Sequence, residues 1–327
     1  VFTDIPITVG TLNFSNTHTF EISGTGSLTL QGTSGTAQVI VQSGTQEIDL
    51  PTTIASNTTF NVATGATLVI AAPITIDSGD SITQTGGGTV TYQSIVNVQS
   101  GASVAFGSSA TINALNISSD SKASVRSGTG SVLKVSNLSM SGTLDLADNA
   151  LEVDYGGGGS PIDGIKAEIY AGYNRGLWNG IGITSSAARA DPSKYGIGYA
   201  DGNLDFGTAA QPGEIIVKFA LLGDTNLDGT VDFGDLLTVA DHYGTTNNDW
   251  ADGNFTYDPS GLVDVEDLLA LAQNYQEPLT ADQAAQLPAA FVSEWTLAQS
   301  EVPEPTSAAM ILAGSCLLLA RRRHTGV

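Results

Sequence analysis

The densest chemistry in this sequence lies between Asp224 and Asp235, which reads Asp-Thr-Asn-Leu-Asp-Gly-Thr-Val-Asp-Phe-Gly-Asp. A hard cation such as calcium takes about six to eight oxygens, and a loop of about twelve residues can supply them from alternate positions. Asp224, Asn226 and Asp228 hold positions one, three and five. Gly229 permits the sharp turn at six, and Thr230 offers its backbone carbonyl at seven. Asp232 stands at nine, directly or through a water, and Asp235 closes the set with a carboxylate at twelve. An acidic turn around a glycine is common, whereas six fitting positions in one register are not. The spacing therefore predicts bound calcium.

The segment that follows is duplicated. Asp235-Leu236-Leu237-Thr238-Val239-Ala240-Asp241-His242-Tyr243 matches Asp267-Leu268-Leu269-Ala270-Leu271-Ala272-Gln273-Asn274-Tyr275, with Asp, Leu, Leu, Ala and Tyr at the same steps. Both copies read as amphipathic helices. Upstream, Glu214 to Leu222 reads as strand, so each copy is a loop followed by one helix. Aligning the second copy on Asp264 and Asp267 puts Asn254, Thr256 and Asp258 at positions one, three and five, and the Leu262 carbonyl at seven. Pro259-Ser260 intrudes before Gly261, and the ligands are weaker. The sequence thus predicts one calcium ion and leaves a second open.

A duplicated calcium loop followed by a helix, with Asp at the twelfth position, resembles the type I dockerin module over residues 222–277. The resemblance implies a pair of antiparallel helices with one calcium loop each. It also implies docking onto cohesin domains, usually in assemblies that degrade polysaccharides. Such modules often carry a Ser-Thr pair at positions ten and eleven. Here those positions are Phe233-Gly234 and Val265-Glu266, so the implied partner is a cohesin-like or another surface protein rather than a clostridial-type cohesin.

The elements that must position this module come before it. Residues 1–155 form a ladder of short alternating segments such as Ser27–Leu30, Thr67–Ile70, Ser81–Gln84, Thr89–Tyr92 and Thr143–Leu146. Each is rich in Thr, Val, Leu and Ile and bounded by Gly, Ser or Asn, the pattern of half-buried strands between tight turns. Nothing between them is long enough for a crossover helix. A parallel β-solenoid and an antiparallel sandwich both fit. Small corner residues, uniform rungs and few charges favour the solenoid. Gly65-Ala66-Thr67-Leu68-Val69-Ile70 and Ser141-Gly142-Thr143-Leu144-Asp145-Leu146 also resemble autotransporter-associated β-strand repeats, whose family fold is a right-handed β-helix.

Gly156 to Gly159 interrupts the ladder, and residues 156–221 are expected to be a glycine linker with a small α+β unit capping the solenoid's open end. Pro161 to Ala171 predicts a helix, with Ile162, Ile165 and Ile169 on one side, and Gly213 to Leu222 a strand. The chain then divides into a calcium module over 222–282, a linker over 283–302 and a tail over 303–327. The predicted fold class is mainly β: a right-handed parallel β-helix, an α+β cap, a two-helix dockerin-like module and a short C-terminal apolar helix.

The tail reads Pro303-Glu304-Pro305, an apolar run over 306–320 and then Arg321-Arg322-Arg323. The run is short for a full span of about 20 residues, and the arginines would hold its end in the cytoplasm. This order resembles a PEP-CTERM sorting signal. The resemblance implies export, transient inner-membrane retention and cleavage by an exosortase-type processing enzyme. Together the three resemblances point to large cell-envelope or extracellular proteins of planctomycete-type bacteria.

Composition narrows the partners. The chain has 33 acids, 11 bases and a net charge of −22, and residues 1–121 contain neither Lys nor Arg. That balance argues against nucleic acid and suits divalent cations. A single cysteine, Cys316, rules out intramolecular disulfides. Three histidines, His18, His242 and His324, are far apart in the sequence, and no nucleophile triad, phosphate loop, zinc spacing or dinucleotide fingerprint appears. No catalytic residues are predicted. The expected function is an exported structural or adhesive surface protein. The alternative is a component of an extracellular polysaccharide-degrading system, binding or cleaving glycan along a β-helix.

Overall fold

The computed structural model describes residues 1–33, 35–275 and 277–302. The sorting-signal residues Pro303, Glu304, Pro305 and Arg321 to Arg323, and the apolar run 306–320, lie outside the described residues. Among the described residues no helix is long and apolar enough to cross a membrane.

The ladder folds as a parallel β-solenoid of about seven turns. The competing sandwich is ruled out by the pairing, since each solenoid strand pairs in parallel with its equivalent one turn on. Alternation along the strands decides which side chains enter the core. On one face Leu30, Ile54, Ile76, Val98 and Ile117 stack in register. On another, Ile22, Ile48, Ile70, Tyr92, Ile112, Val135 and Val153 do the same. All of these are buried. The third face forms a separate eight-stranded sheet, whereas the first two merge into a thirteen-stranded one. The corner between them explains the merger. Pro51 and Pro73 sit at that corner in the early turns and cannot donate to the ladder, so the strands on either side stay separate. Ile95 takes the place of Pro73 one turn later, and Thr89–Val98 runs through the corner with only a register shift between Tyr92 and Ile95.

Several core-facing strand positions are polar, among them Gln46, Thr58 and Gln84. Gln84 lies in register with Phe60 and is buried, donating to the Tyr92 hydroxyl at 2.8 Å, while its own Oε1 has no partner among the described residues. Burial pushes the Tyr92 hydroxyl far above its ordinary value, so it stays protonated. Tyr92→Phe removes the acceptor for a buried amide and is expected to cost about 1–3 kcal/mol. Tyr92→Phe combined with Gln84→Leu leaves no unmet polar group and should recover most of that loss, as read by denaturant titration. A double variant no better than the single one would count against the pairing.

The cap replaces the next turn. Helix α1 (Ile162–Tyr173) buries Ile162, Ile165 and Ile169, the three isoleucines expected to share one side. Gly172 sits so close to the following strand that a Cβ there would lie 1.8 Å from the Ile183 carbonyl oxygen. That strand, Gly182–Thr184, continues the third face in parallel with Thr143–Asp145. After the short helix α2 (Ser186–Ala190) the direction reverses. Glu214–Leu221 pairs antiparallel with the last solenoid strand, Ala150–Asp154, and Tyr195–Asp201 pairs antiparallel with Glu214–Leu221 to end the sheet.

Among the described residues four α-helices follow: α3 (Phe233–His242), α4 (Val265–Asn274), the single turn α5 (Ala281–Ala284) and α6 (Ala289–Glu301). The stretch 283–302, expected as a linker, therefore carries an ordered helix. Phe291 and Trp295 of α6 are buried, and their rings lie 5.3 Å from Tyr243 and 5.1 Å from Tyr275. These are the tyrosines that close the two sequence repeats, so one helix packs on both.

Candidate metal centres

Each predicted loop leads directly into its helix, and the two loops share a hydrogen-bond pattern. In the first, Asp224 Oδ1 accepts from the Asp228 amide at 3.1 Å and Oδ2 accepts from the Gly229 amide at 2.9 Å. In the second, Asn254 Oδ1 accepts from the Asp258 amide at 2.9 Å. Position twelve repeats as well. Asp235 accepts from the amides of Thr225 and Asp232, and Asp267 from those of Phe255, Thr256 and Asp264. Asp232 and Asp264 each cap their helix in a reciprocal box with Asp235 and Asp267. Gly229 takes its turn at φ 99°, and Gly261 does so at φ 66° after the two inserted residues.

The remaining predicted residues are drawn in less tightly. Asn226 Nδ2 donates to Asp228 Oδ2 at 3.1 Å, and Asp228 Oδ1 accepts from the Thr230 amide and hydroxyl. Asp228, Thr230 and Asp232 are exposed. Asp258 turns onto the amide and hydroxyl of the inserted Ser260, and the Leu262 amide approaches it at 3.5 Å. Thr256 is half-buried, its amide held by Asp267.

Electrostatics separate the buried from the exposed carboxylates. Asp224, Asp235 and Asp267 are almost wholly buried. Burial, followed by the nearby Asp235 and Asp228 charges, pushes Asp224 up to about 6. Burial also raises Asp235, and it takes Asp267 to about 6. Asp228 moves the other way because the Thr230 hydroxyl bonds its charged form. The ion pairs among the described residues engage other acids: Asp145, Glu152, Asp154, Glu214, Asp249 and Asp252. Lys218, whose charge acts on Asp224 and Asp228 from a distance, gives its ammonium to the Leu227 carbonyl at 3.1 Å.

No group of three or more His, Cys, Asp or Glu close enough to hold a metal occurs among the described residues. The loop carboxylates turn onto loop amides, and each oxygen set includes an asparagine amide and a main-chain carbonyl. In donor chemistry the first loop still fits a hard cation. It offers only oxygens, and two buried carboxylates lack a basic partner, an arrangement that a divalent ion would neutralise. Asp224, Asn226, Asp228, the Thr230 carbonyl, Asp232 and Asp235 would hold calcium there. The second set is Asn254, Thr256, Asp258, the Leu262 carbonyl, Asp264 and Asp267.

The sequence reading missed how both loops join the cap. Trp250, in a 3-10 turn at Trp250–Asp252, is fully buried and donates from Nε1 to the Asp224 carbonyl at 2.7 Å. Asn274 in α4 donates to the carbonyls of Lys194 and Leu222, and Lys166 in α1 pairs with Asp249. The Ala209 amide bonds the Asn226 carbonyl at 2.9 Å. One signal was available: Gly196 and Gly198 alternate within a strand, a pattern that marks close approach by another element. His242 ends α3, with Nε2 3.5 Å from Asp252 Oδ1, and His18 lies exposed in a bend between two strands. Compared with family models, curated proteins and solved structures, the chain matches none.

Proposed function

We propose that this is an exported cell-surface protein, structural or adhesive, that displays a right-handed β-solenoid and attaches through a calcium-stabilised, dockerin-like module. The observation that carries this reading is the repeated loop geometry: in both copies the side chains at positions one and twelve accept loop amides, and the buried acids lack basic partners among the described residues. Calcium acts structurally here, holding the loops so that the start of each helix keeps its shape. Val265, Glu266 and Gly234 are exposed at those helix starts and Phe233 is half-buried, which suits an apolar contact with a cohesin-like or other surface protein. The tail supports export, envelope retention and release by an exosortase-type enzyme. The test is affinity capture from envelope extract with the purified full chain, in calcium and in chelator. A partner retained only in calcium is expected, and equal capture in both would count against the reading.

A second reading, a component of polysaccharide degradation, has one observation in its favour. Lys134 lies 3.6–3.7 Å from carboxylate oxygens of Glu152, Asp154 and Glu214 on neighbouring strands. Asp154 also lines a cleft of about 410 Å³ with Asn137, Tyr155 and Pro161. Incubation with a panel of polysaccharides decides between the two. Under the first reading no oligosaccharides or unsaturated ends are released.

A further inference from the structure

We infer that the two loops form a calcium-dependent latch over the open edge of the cap's outer strand, Tyr195–Asp201, which ends the sheet, so that losing calcium exposes that edge. This inference rests on the reading that the loops bind calcium. Among the described residues the strand pairs on one side only, with Glu214–Leu221. Its other edge would offer unpaired backbone groups, which are templates for association with a further strand. Three amides on that edge are already occupied. Tyr195 donates to the Asp191 carbonyl at 3.0 Å, Asp201 to Asp205 Oδ2 at 2.7 Å, and Ile197 to the Tyr257 hydroxyl at 2.7 Å. The same hydroxyl donates to the Ile197 carbonyl at 3.0 Å. Tyr257 therefore occupies both backbone groups that Ile197, at the middle of the edge, would offer an incoming strand.

Tyr257 is the residue between positions three and five of the second loop, and Leu227 holds the same place in the first. Both are non-glycine residues with left-handed backbone, at φ 56° and 61°. That conformation disfavours a side chain of this size, yet both side chains are nearly fully buried. The strand is shaped to receive them. A Cβ on Gly196 would lie 2.6 Å from the Tyr257 hydroxyl oxygen, and one on Gly198 would lie 2.3 Å from Leu227 Cδ2 and 2.9 Å from Trp250. Each loop thus inserts its fourth residue beside a strand glycine, and Trp250 ties the first loop's opening residue to the same spot.

The coupling follows from this geometry. The left-handed turn at position four belongs to the curvature that gathers the loop's oxygens, and the same turn aims Leu227 and Tyr257 at the strand. Without the ion, clustered acids repel and the loops open locally. With it, loop and strand are ordered together. Binding linkage is reciprocal, so loosening the strand contact must also weaken calcium.

The test is hydrogen exchange on the full chain with calcium and with chelator, alongside calorimetric titration of calcium. Chelation is expected to speed exchange of the Tyr195–Asp201 amides about tenfold or more, while amides in solenoid turns 37–125 stay unchanged; a tenfold change equals about 1.4 kcal/mol. Tyr257→Phe should speed exchange at Ile197 with calcium still bound. Gly198→Ala, outside both loops, should weaken calcium about tenfold, and if it fails to fold, Tyr257→Phe carries the test. Calcium binding with unchanged strand exchange would overturn the latch and leave the loops standing as calcium sites. No calcium binding would overturn both. Equal loss of protection in the solenoid would also overturn the latch, because it would report general unfolding.

Discussion

Asp224→Asn is expected to abolish the calcium dependence of stability over residues 195–302 while changing the calcium-free protein little. In calcium-free protein near neutral pH, Asp224 is an ionised carboxylate in a buried site. Asparagine removes that charge, worth on the order of 1–2 kcal/mol, but gives up one acceptor for the Asp228 or Gly229 amide, a loss of about 1 kcal/mol. The two nearly cancel. With calcium at about a thousandfold excess over Kd, the wild type gains about 4 kcal/mol, and the variant, short of one charged ligand, gains little. The pH dependence has a definite sign. Asp224 titrates at about 6 in the fold against an ordinary 3.8. Its contribution is therefore fully present below about pH 4 and is lost as pH rises through 6. Calcium needs the ionised form, so its stabilisation grows over the same window. Melting curves at pH 5 and pH 7.5, with calcium and with chelator, check both points. A calcium shift retained in Asp224→Asn, or equal at both pH values, would remove Asp224 from the site.

Trp250→Ala is expected to cost about 3–5 kcal/mol, the largest single-residue effect here. The indole is fully buried, with ring centroids 5.2 Å from Phe255 and 5.7 Å from Tyr257, and it fills the space beside Gly196 and Gly198. Its removal also leaves the Asp224 carbonyl without its donor. The loss falls on one junction, so the calcium module should unfold ahead of the solenoid. Denaturant titration would show tryptophan emission changing before the far-ultraviolet β signal. Trp295 provides the contrast. It is equally buried, but its Nε1 has no partner among the described residues, so Trp295→Phe forfeits none of the hydrogen bonds described and is expected to cost under about 1.5 kcal/mol. Coincident transitions in Trp250→Ala would argue that module and solenoid unfold as one.

Several features of this protein were determined by its sequence alone. Alternation at Thr67–Ile70 or Thr143–Leu146 specifies strands with one buried face, because side chains alternate across a strand wherever it pairs. The oxygen spacing of Asp224 to Asp235 and the repeat that ends at Tyr243 and Tyr275 specify two loops and two helices, because capping and loop curvature are local. Only the tertiary structure decided the rest. Alternation is the same in a sandwich and a solenoid, and the choice lay in parallel register between strands a whole turn apart. The reversal of direction after Ala150–Asp154 has no local signature, and neither does the packing of α6 on the two repeat tyrosines. The same holds for the seating of Leu227 and Tyr257 against Gly196 and Gly198. Short-range pattern states which side chains need burial. Which surface buries them depends on contacts between residues distant in the chain, and those exist only once the solenoid has closed.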